Sequence, residues 1–338
     1  MNQEALEIYR KLEQREEELE IFKQYLEQLY PCVNHNVEQH WSDFLEISTE
    51  MVSILEELGH PDIKNYYHHK LTNPIVAEGE FRDIIKELYS ITVAYRNYYE
   101  ENIRNCIVCN RKVFYLPLPE EYNKKRKQYN VPKSRPETLN EKEYICPICG
   151  SFDRDRLIIS YLGRCAKLKE DDISLIQIAP SRTIEKYLLD NYPHLKYHSA
   201  DLYMKGVTFQ VDLQDMNMIP DNSYDFLICS HVLEHIPDDR LALKELHRIL
   251  KQDGIGILLV PIDLNMAETD EEIGCSEEEN WRRFGQGDHV RKYAKQDFIN
   301  RVRECGFSLE CLGKDYFGDM VFKENGLSDT ATLYIMRK

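Results

Sequence analysis

The stretch from Asp225 to Ile262, DFLICSHVLEHIPDDRLALKELHRILKQDGIGILLVPI, decides the fold. Phe226-Leu227-Ile228-Cys229 is a short apolar run with the length and character of a buried parallel strand. The polar pair Ser230-His231 follows it, where the carboxyl end of such a strand falls. Leu241, Leu243, Leu246, Ile249 and Leu250 then recur at helical spacing among Lys, Glu, His and Arg. Asp253-Gly254 reads as the helix stop, because glycine accepts the left-handed conformation that helix ends favour. A second apolar run, Ile255 to Ile262, comes next. This is a strand–helix–strand unit of a parallel sheet, and ligands of such sheets sit beyond the carboxyl ends of the strands. His231, Glu234 and His235 fall at that end.

The pattern DxxxxxHVLEHIPDDxxALxELxRxLKxxG resembles the fourth and fifth motifs of class I S-adenosylmethionine-dependent methyltransferases. It is most similar to bacterial members that carry a cysteine-paired zinc module ahead of the catalytic domain and act on cell-surface saccharides or small molecules. The resemblance covers roughly residues 104 to 338. It implies a Rossmann-like α/β fold with a seven-stranded sheet, and S-adenosylmethionine as cofactor.

A chain of 338 residues predicts two or three units. Three follow: a helical region over residues 1–104, a small zinc-ribbon-like module over 105–152, and the methyltransferase domain over 153–338. With 42% hydrophobic residues and no apolar run near membrane length, no membrane span is expected. MNQEALEIYRKLEQREEE lacks the basic start and apolar segment of a signal peptide, so a cytoplasmic location is expected. A net charge of −16 argues against a nucleic-acid partner, because phosphate binding needs clustered Lys and Arg. The run Lys124-Lys125-Arg126-Lys127 reads as a solvated loop.

Leu6, Ile8, Tyr9, Leu12, Leu19, Ile21, Phe22, Leu26 and Leu29 recur without Gly or Pro before Pro31, which predicts one long charged helix. It offers a surface for self-association or for a protein partner. Next come Cys106-Ile-Val-Cys109 and Cys146-Pro-Ile-Cys149-Gly150. Two residues between cysteines let both thiolates reach one tetrahedral ion, and four cysteine ligands make it a structural zinc with no open position. The ion would hold a segment too small to build its own core, with strands and a loop over residues 110–145.

Ser174 to Ile178 reads as the first strand of the sheet, followed by Ala179-Pro180-Ser181 and a helix. The glycines usual in this turn are missing. The IAPS version looks like the variant of the zinc-bearing family, in which the small Ala179 keeps the cofactor's approach open. Ser181 is placed to cap the helix and face the cofactor's carboxylate. Asp201, after the second strand, can accept two hydrogen bonds from ribose hydroxyls. By resemblance, Asp212 accepts from the adenine amino group and Leu213 packs on the ring. Ile178, Pro180, Leu202, Ser230 and His231 complete the expected cofactor contacts.

His231, Glu234 and His235 share one face if a helix starts near His231, close enough to share an ion or a substrate, with Glu234 and His235 as substrate contacts. Three roles compete: His231 as general base, the trio as ligands of a second divalent cation, and Glu234 with His235 as backbone anchors. Farther on, the FGQxDHVRxY pattern matches the resembled family. It brings Asp288 and His289 as a base and its orienting carboxylate, Arg291 to hold an anionic acceptor, and Tyr293 beside it. Arg154 or Arg156 also offers an anion contact, against a plainer fate in ion pairs. The expected function is methylation of an oxygen on a saccharide or related small metabolite. The alternatives are a protein or RNA acceptor, or a non-catalytic scaffold that the missing glycines keep open.

Overall fold

A computed structural model describes residues 103–113 and 115–338. The expected amino-terminal helix, the rest of the helical region up to residue 102, and Cys32 lie outside the described residues. Arg104–Lys338 form one compact unit. Among the described residues no helix is long and apolar enough to cross a membrane.

The cysteine segment opens on a two-stranded antiparallel ribbon, β1 (Arg104–Cys106) and β2 (Arg111–Val113). The basic run expected as a loop is helical: it belongs to α1 (Glu120–Gln128), whose acidic first turn and basic last turn suit the helix dipole. α2 (Asp153–Leu162) leads into the large sheet. There the elements run β3 (Ser174–Ile178), α3 (Arg182–Asn191), β4 (Lys196–Asp201), β5 (Phe209–Gln210) and β6 (Tyr224–Ser230). After a 3-10 turn at Leu233–His235 come α4 (Asp239–Ile249) and β7 (Leu250–Leu259). A side ribbon, β8 (Asp270–Glu271) with β9 (Arg291–Lys292), brackets α5 (Glu277–Phe284). The chain closes with α6 (Lys295–Glu304), β10 (Ser308–Leu312), the short helices α7 (Lys314–Phe317) and α8 (Asp319–Glu324), and β11 (Leu333–Arg337).

The sheet has seven strands in the order β10-β11-β7-β6-β3-β4-β5. β7, β6, β3, β4 and β5 are parallel neighbours, while β11 runs antiparallel to both of its neighbours, β7 and β10. The order reverses between β3 and β6, and the crevice at such a switch point is where ligands bind. The motif stretch supplies the centre of the core. Phe226, Leu227, Ile228, Ile257 and Leu258 are fully buried. On α4, Ala242, Leu243, Leu246 and Ile249 face the sheet, each large side chain contributing about 1.5–3 kcal/mol of burial.

Two boundaries differ from expectation. α4 starts at Asp239, because Asp238 caps it by accepting from Leu241 N at 2.9 Å. His231 therefore precedes the helix. Gly254 is not the helix stop: the helix ends at Ile249 and the strand starts at Leu250. Gly254 lies where β7 slips its register against β6, and a Cβ there would come within 2.6 Å of the Leu250 side chain.

Candidate functional site

Ala179 and His231 leave the two strands that flank the switch point, and both adopt left-handed backbone, at φ 47° and 56°. Non-glycine residues seldom do so, at a cost of roughly 1–2 kcal/mol each. Backbone bonds hold both bends: Ala179 N donates to Ala200 O and His231 N to Leu259 O, each at 2.8 Å. The chain thus makes the sharp strand-end turns without the glycines that usually make them.

Beyond these turns lies a cleft of about 610 Å³. Ile178, Ala179 and His231 line it at the switch point, and Asp201, Leu202, Asp212 and Leu213 line it farther along. Asp201 Oδ1 accepts from the Tyr203 and Met204 amides at 2.7 and 2.6 Å, which leaves Oδ2 for a ligand. Asp212 is steadied by Gln214, whose amide donates to Oδ1 at 2.8 Å. The paired carboxylates, the apolar walls and the volume fit S-adenosylmethionine. Pro180, Ser181 and Ser230 do not line the cleft. Ser181 precedes α3 but caps nothing with its side chain; its hydroxyl stands 3.3 Å from Asp155 Oδ1. Ser230 Oγ is buried and without a hydrogen-bond partner.

His231 also lines a second cavity of about 410 Å³. Tyr122 and Arg126 of α1, Thr138, Tyr144, Phe152 and Arg154 form one wall, and Asp263, Phe284, Gln286, His289 and Lys292 the other. The segment between the cysteine pairs reaches this place because it is bonded to the sheet's edge. Glu137 N donates to Ile262 O at 3.0 Å, and Arg135 N to Asp263 Oδ1 at 3.0 Å. Tyr122 Oη donates to Gly285 O at 2.9 Å, seating α1 on the end of α5.

Glu234 is fully buried, with both carboxylate oxygens lacking a hydrogen-bond donor. His231 Nδ1 stands 3.3 Å from Oε1, off the line of a hydrogen bond, and His235 Nε2 stands 4.0 Å away. Burial opposes the charge, but His231, His289 and His235 outweigh it and hold the carboxyl at about 2. Glu234 therefore sits behind the histidines and does not reach an acceptor, contrary to its expected role in substrate binding. His289 is 7% exposed, and burial pulls its imidazole down to about 4, so it is neutral at pH 7. Its Nδ1 has no partner. The expected pairing of Asp288 with His289 is not formed: Asp288 Oδ2 is 3.4 Å from His235 Nδ1, since neighbours in the chain point apart. The donor atoms of Glu234, His235 and His289 lie within 4.8 Å of one another.

Arg291 and Tyr293 line neither cavity. Arg291 is 2% exposed and donates to the carbonyls of Leu233, Ile236 and Pro237 and to Glu271. It clamps the turn that carries Glu234 and His235. Tyr293 Oη donates to Asp239 Oδ2 at 2.7 Å, which Arg301 also reaches at 3.0 Å. The Asp239–Arg301 and Glu271–Arg301 pairs leave no local signal in the sequence, because their members lie 62 and 30 residues apart. Arg156 is likewise buried, donating to the carbonyls of Glu143, Tyr144, Ser151 and Asn325.

The four paired cysteines converge. Cys106 and Cys149 sulfurs are 3.8 Å apart, and Cys109 and Cys146 sulfurs 3.9 Å. A tetrahedral ion with Zn–S bonds near 2.3 Å separates its sulfurs by about 3.8 Å. Each knuckle ends on a left-handed residue, Asn110 at φ 53° and Gly150 at φ 72°. The donor set and its spacing fit zinc.

Residues 177–258 match a family model described as a methyltransferase domain. This stretch of the chain is thus similar to a methyltransferase domain. Over 56 residues the chain is 36% identical to the uncharacterized methyltransferase YcgJ of Bacillus subtilis, covering 17% of this chain and 22% of that protein. The crystal structure of YcgJ superposes at a TM-score of 0.33 with 15% identity, over 54% of this chain and 95% of that one. An O-methyltransferase family protein from Burkholderia thailandensis superposes at 0.38 with 12% identity, over 55% and 56%.

Proposed function

We propose that the chain methylates a hydroxyl oxygen of a small, saccharide-like metabolite, with His231 as the base. One observation carries the reading: His231 alone among the candidate bases lines both the cleft and the second cavity. The cofactor supplies an electrophilic methyl group on a sulfonium. Asp201 would hold its ribose, Asp212 and Leu213 its adenine, all three lining the cleft. The aromatic side chains of Tyr122, Tyr144 and Phe152 in the wall of the second cavity suit a sugar ring. His231 takes the hydroxyl proton on Nε2 while Nδ1 faces Glu234, whose carboxylate stabilises the resulting imidazolium. The acceptor oxygen gains the methyl carbon as the sulfonium bond breaks, and the proton passes from His231 to solvent. Aligning the two molecules at one residue is most of what this displacement needs. The left-handed Ala179 stands in for the missing glycines and favours an enzyme over a scaffold.

Calorimetric titration with S-adenosylhomocysteine tests the cofactor site. Saturable one-site binding is expected, weakened at least about tenfold in Asp201→Ala, as losing charged hydrogen bonds implies. No binding at millimolar ligand would favour the scaffold. Cys106, Cys109, Cys146 and Cys149 hold a structural zinc in this proposal, and metal analysis should return one zinc per chain.

A second reading is favoured by the unpartnered atoms of Glu234 and His289. A divalent cation there would take Glu234, His235 and His289 rather than the expected His231, Glu234 and His235, and would acidify the hydroxyl. Retention of a second metal ion, lost in His289→Asn, would support it.

A further inference from the structure

Arg291, the sequence's candidate for an anionic acceptor, is committed to backbone carbonyls. A different guanidinium faces the second cavity. Arg154, the second residue of α2, lines it together with His231. Its Nη1 donates to Tyr144 Oη at 3.3 Å, and its guanidinium lies 4.6 Å from the centre of the Phe152 ring. Among the described residues it forms no ion pair, and the one hydrogen bond uses one of five side-chain donors.

The other charges on that wall are already matched. Glu137 is held by Lys295 at 2.6 Å and by the Tyr334 hydroxyl at 2.9 Å. Asp263 pairs with Lys292 at 2.8 Å, and Arg126 pairs with Glu141. Asp153 accepts from the amides of Asn140 and Arg154, both at 2.7 Å. Arg154 is the cation of this wall without a salt bridge, attracted only at longer range by Asp155 and Asp153. Thr138 and His289 lie on the same wall, 8% and 7% exposed, and Thr138 Oγ1 and His289 Nδ1 have no hydrogen-bond partner. A half-buried guanidinium with donors to spare on a cavity wall suits a ligand that supplies acceptors. The planar fork of arginine matches two oxygens of a carboxylate or phosphate.

We propose that the second cavity takes a hydroxylated organic anion, its carboxylate or phosphate gripped by Arg154 while a hydroxyl faces His231. The proposal rests on the reading of this cavity as the acceptor site. Arg154 is then a specificity-determining residue, and the zinc knuckle that ends at Gly150 sets its position four residues later.

The test is titration of the full chain, with and without S-adenosylhomocysteine, using inorganic phosphate, malonate and the neutral polyol ribitol. Wild type should bind one anion at least about tenfold more tightly than ribitol. Tighter phosphate would mark a phosphorylated acceptor, and tighter malonate a carboxylated one. Arg154→Gln should lose about tenfold or more in anion affinity with S-adenosylhomocysteine affinity unchanged, and Arg154→Lys should fall between. Failure of both anions to bind wild type, or equal binding by Arg154→Gln, overturns the proposal. Should Arg154→Gln misfold, Arg154→Lys decides, because an anion affinity equal to wild type overturns it too. Anion binding that needs Arg154 without any binding of S-adenosylhomocysteine would sink the methyl-transfer reading and leave the anion site standing; the reverse result would do the opposite.

Discussion

The cleft and the second cavity meet at His231 and are built differently. The cleft takes most of its wall from residues 178–216, the ends of three strands that follow one another in the chain, and closes it with 231–237 and Asp288. The second cavity joins residues 118–144, 152–154, 260–263 and 284–292, no two of which are sequence neighbours. In the first, a parallel sheet delivers its strand ends to one edge whatever the side chains are. In the second, each wall needs an anchor of its own: the cysteine cluster, Glu137 on Tyr334, Tyr122 on Gly285. A cavity of that kind can change its occupant without disturbing the sheet.

The sharpest way to separate the two regions is the residue they share. His231→Asn keeps a side chain that tolerates left-handed backbone. Methyl transfer should fall about 10²–10⁴-fold while S-adenosylhomocysteine still binds. Single-turnover rates measure the first and calorimetry the second; an unchanged rate would remove the base from the mechanism.

Next in size is the clamp. Arg291→Met strands three carbonyls and deprives Glu271 of a partner. Thermal unfolding should show a loss of about 3–5 kcal/mol. A loss below about 1 kcal/mol would mean that the turn holding Glu234 stands without the arginine.

Acid comes third. His289 has its pKa lowered from 6.5 to about 4, so between those values the unfolded chain binds more protons than the folded one. Stability should therefore fall as pH drops through this window, by about 3 kcal/mol in all. Glu234, lowered from 4.5 to about 2, loses its contribution between those two values, mostly below the histidine's window. Denaturant midpoints taken without added divalent metal should show the slope, and His289→Asn should flatten it.

The smallest effect belongs to the bend after β3. Ala179→Gly relieves a left-handed alanine but loosens the unfolded chain, so stability should change by no more than about 1 kcal/mol. Ala179→Val, β-branched at positive φ, should instead weaken S-adenosylhomocysteine binding. Equal affinity for both variants would show that the cofactor does not pass this residue closely.

Much of the cleft was legible because its signals are local. An apolar run followed by a polar residue marks a strand end, and Asp201, Asp212 and His231 stand at three such ends. The cysteine knuckles were legible for the same reason, since two intervening residues fix the reach of both thiolates. The DHVRxY cluster misled. Its density in polar groups suggested an acceptor site, yet Arg291 and Tyr293 serve the turn that carries Glu234 and the first turn of α4. Nothing in a string of residues says which arginine finds carbonyls to satisfy it and which does not.

The sequence by itself determined the parallel sheet, the order of its motifs and the converging cysteines, because hydrophobic period, strand-end polarity and knuckle spacing act within a few residues. Tertiary structure alone decided that Glu234 lies behind His231, that Arg291 is buried and that Arg154 lines the second cavity without a salt bridge. Burial and charge pairing depend on segments far apart in the chain, and they are settled only when those segments meet.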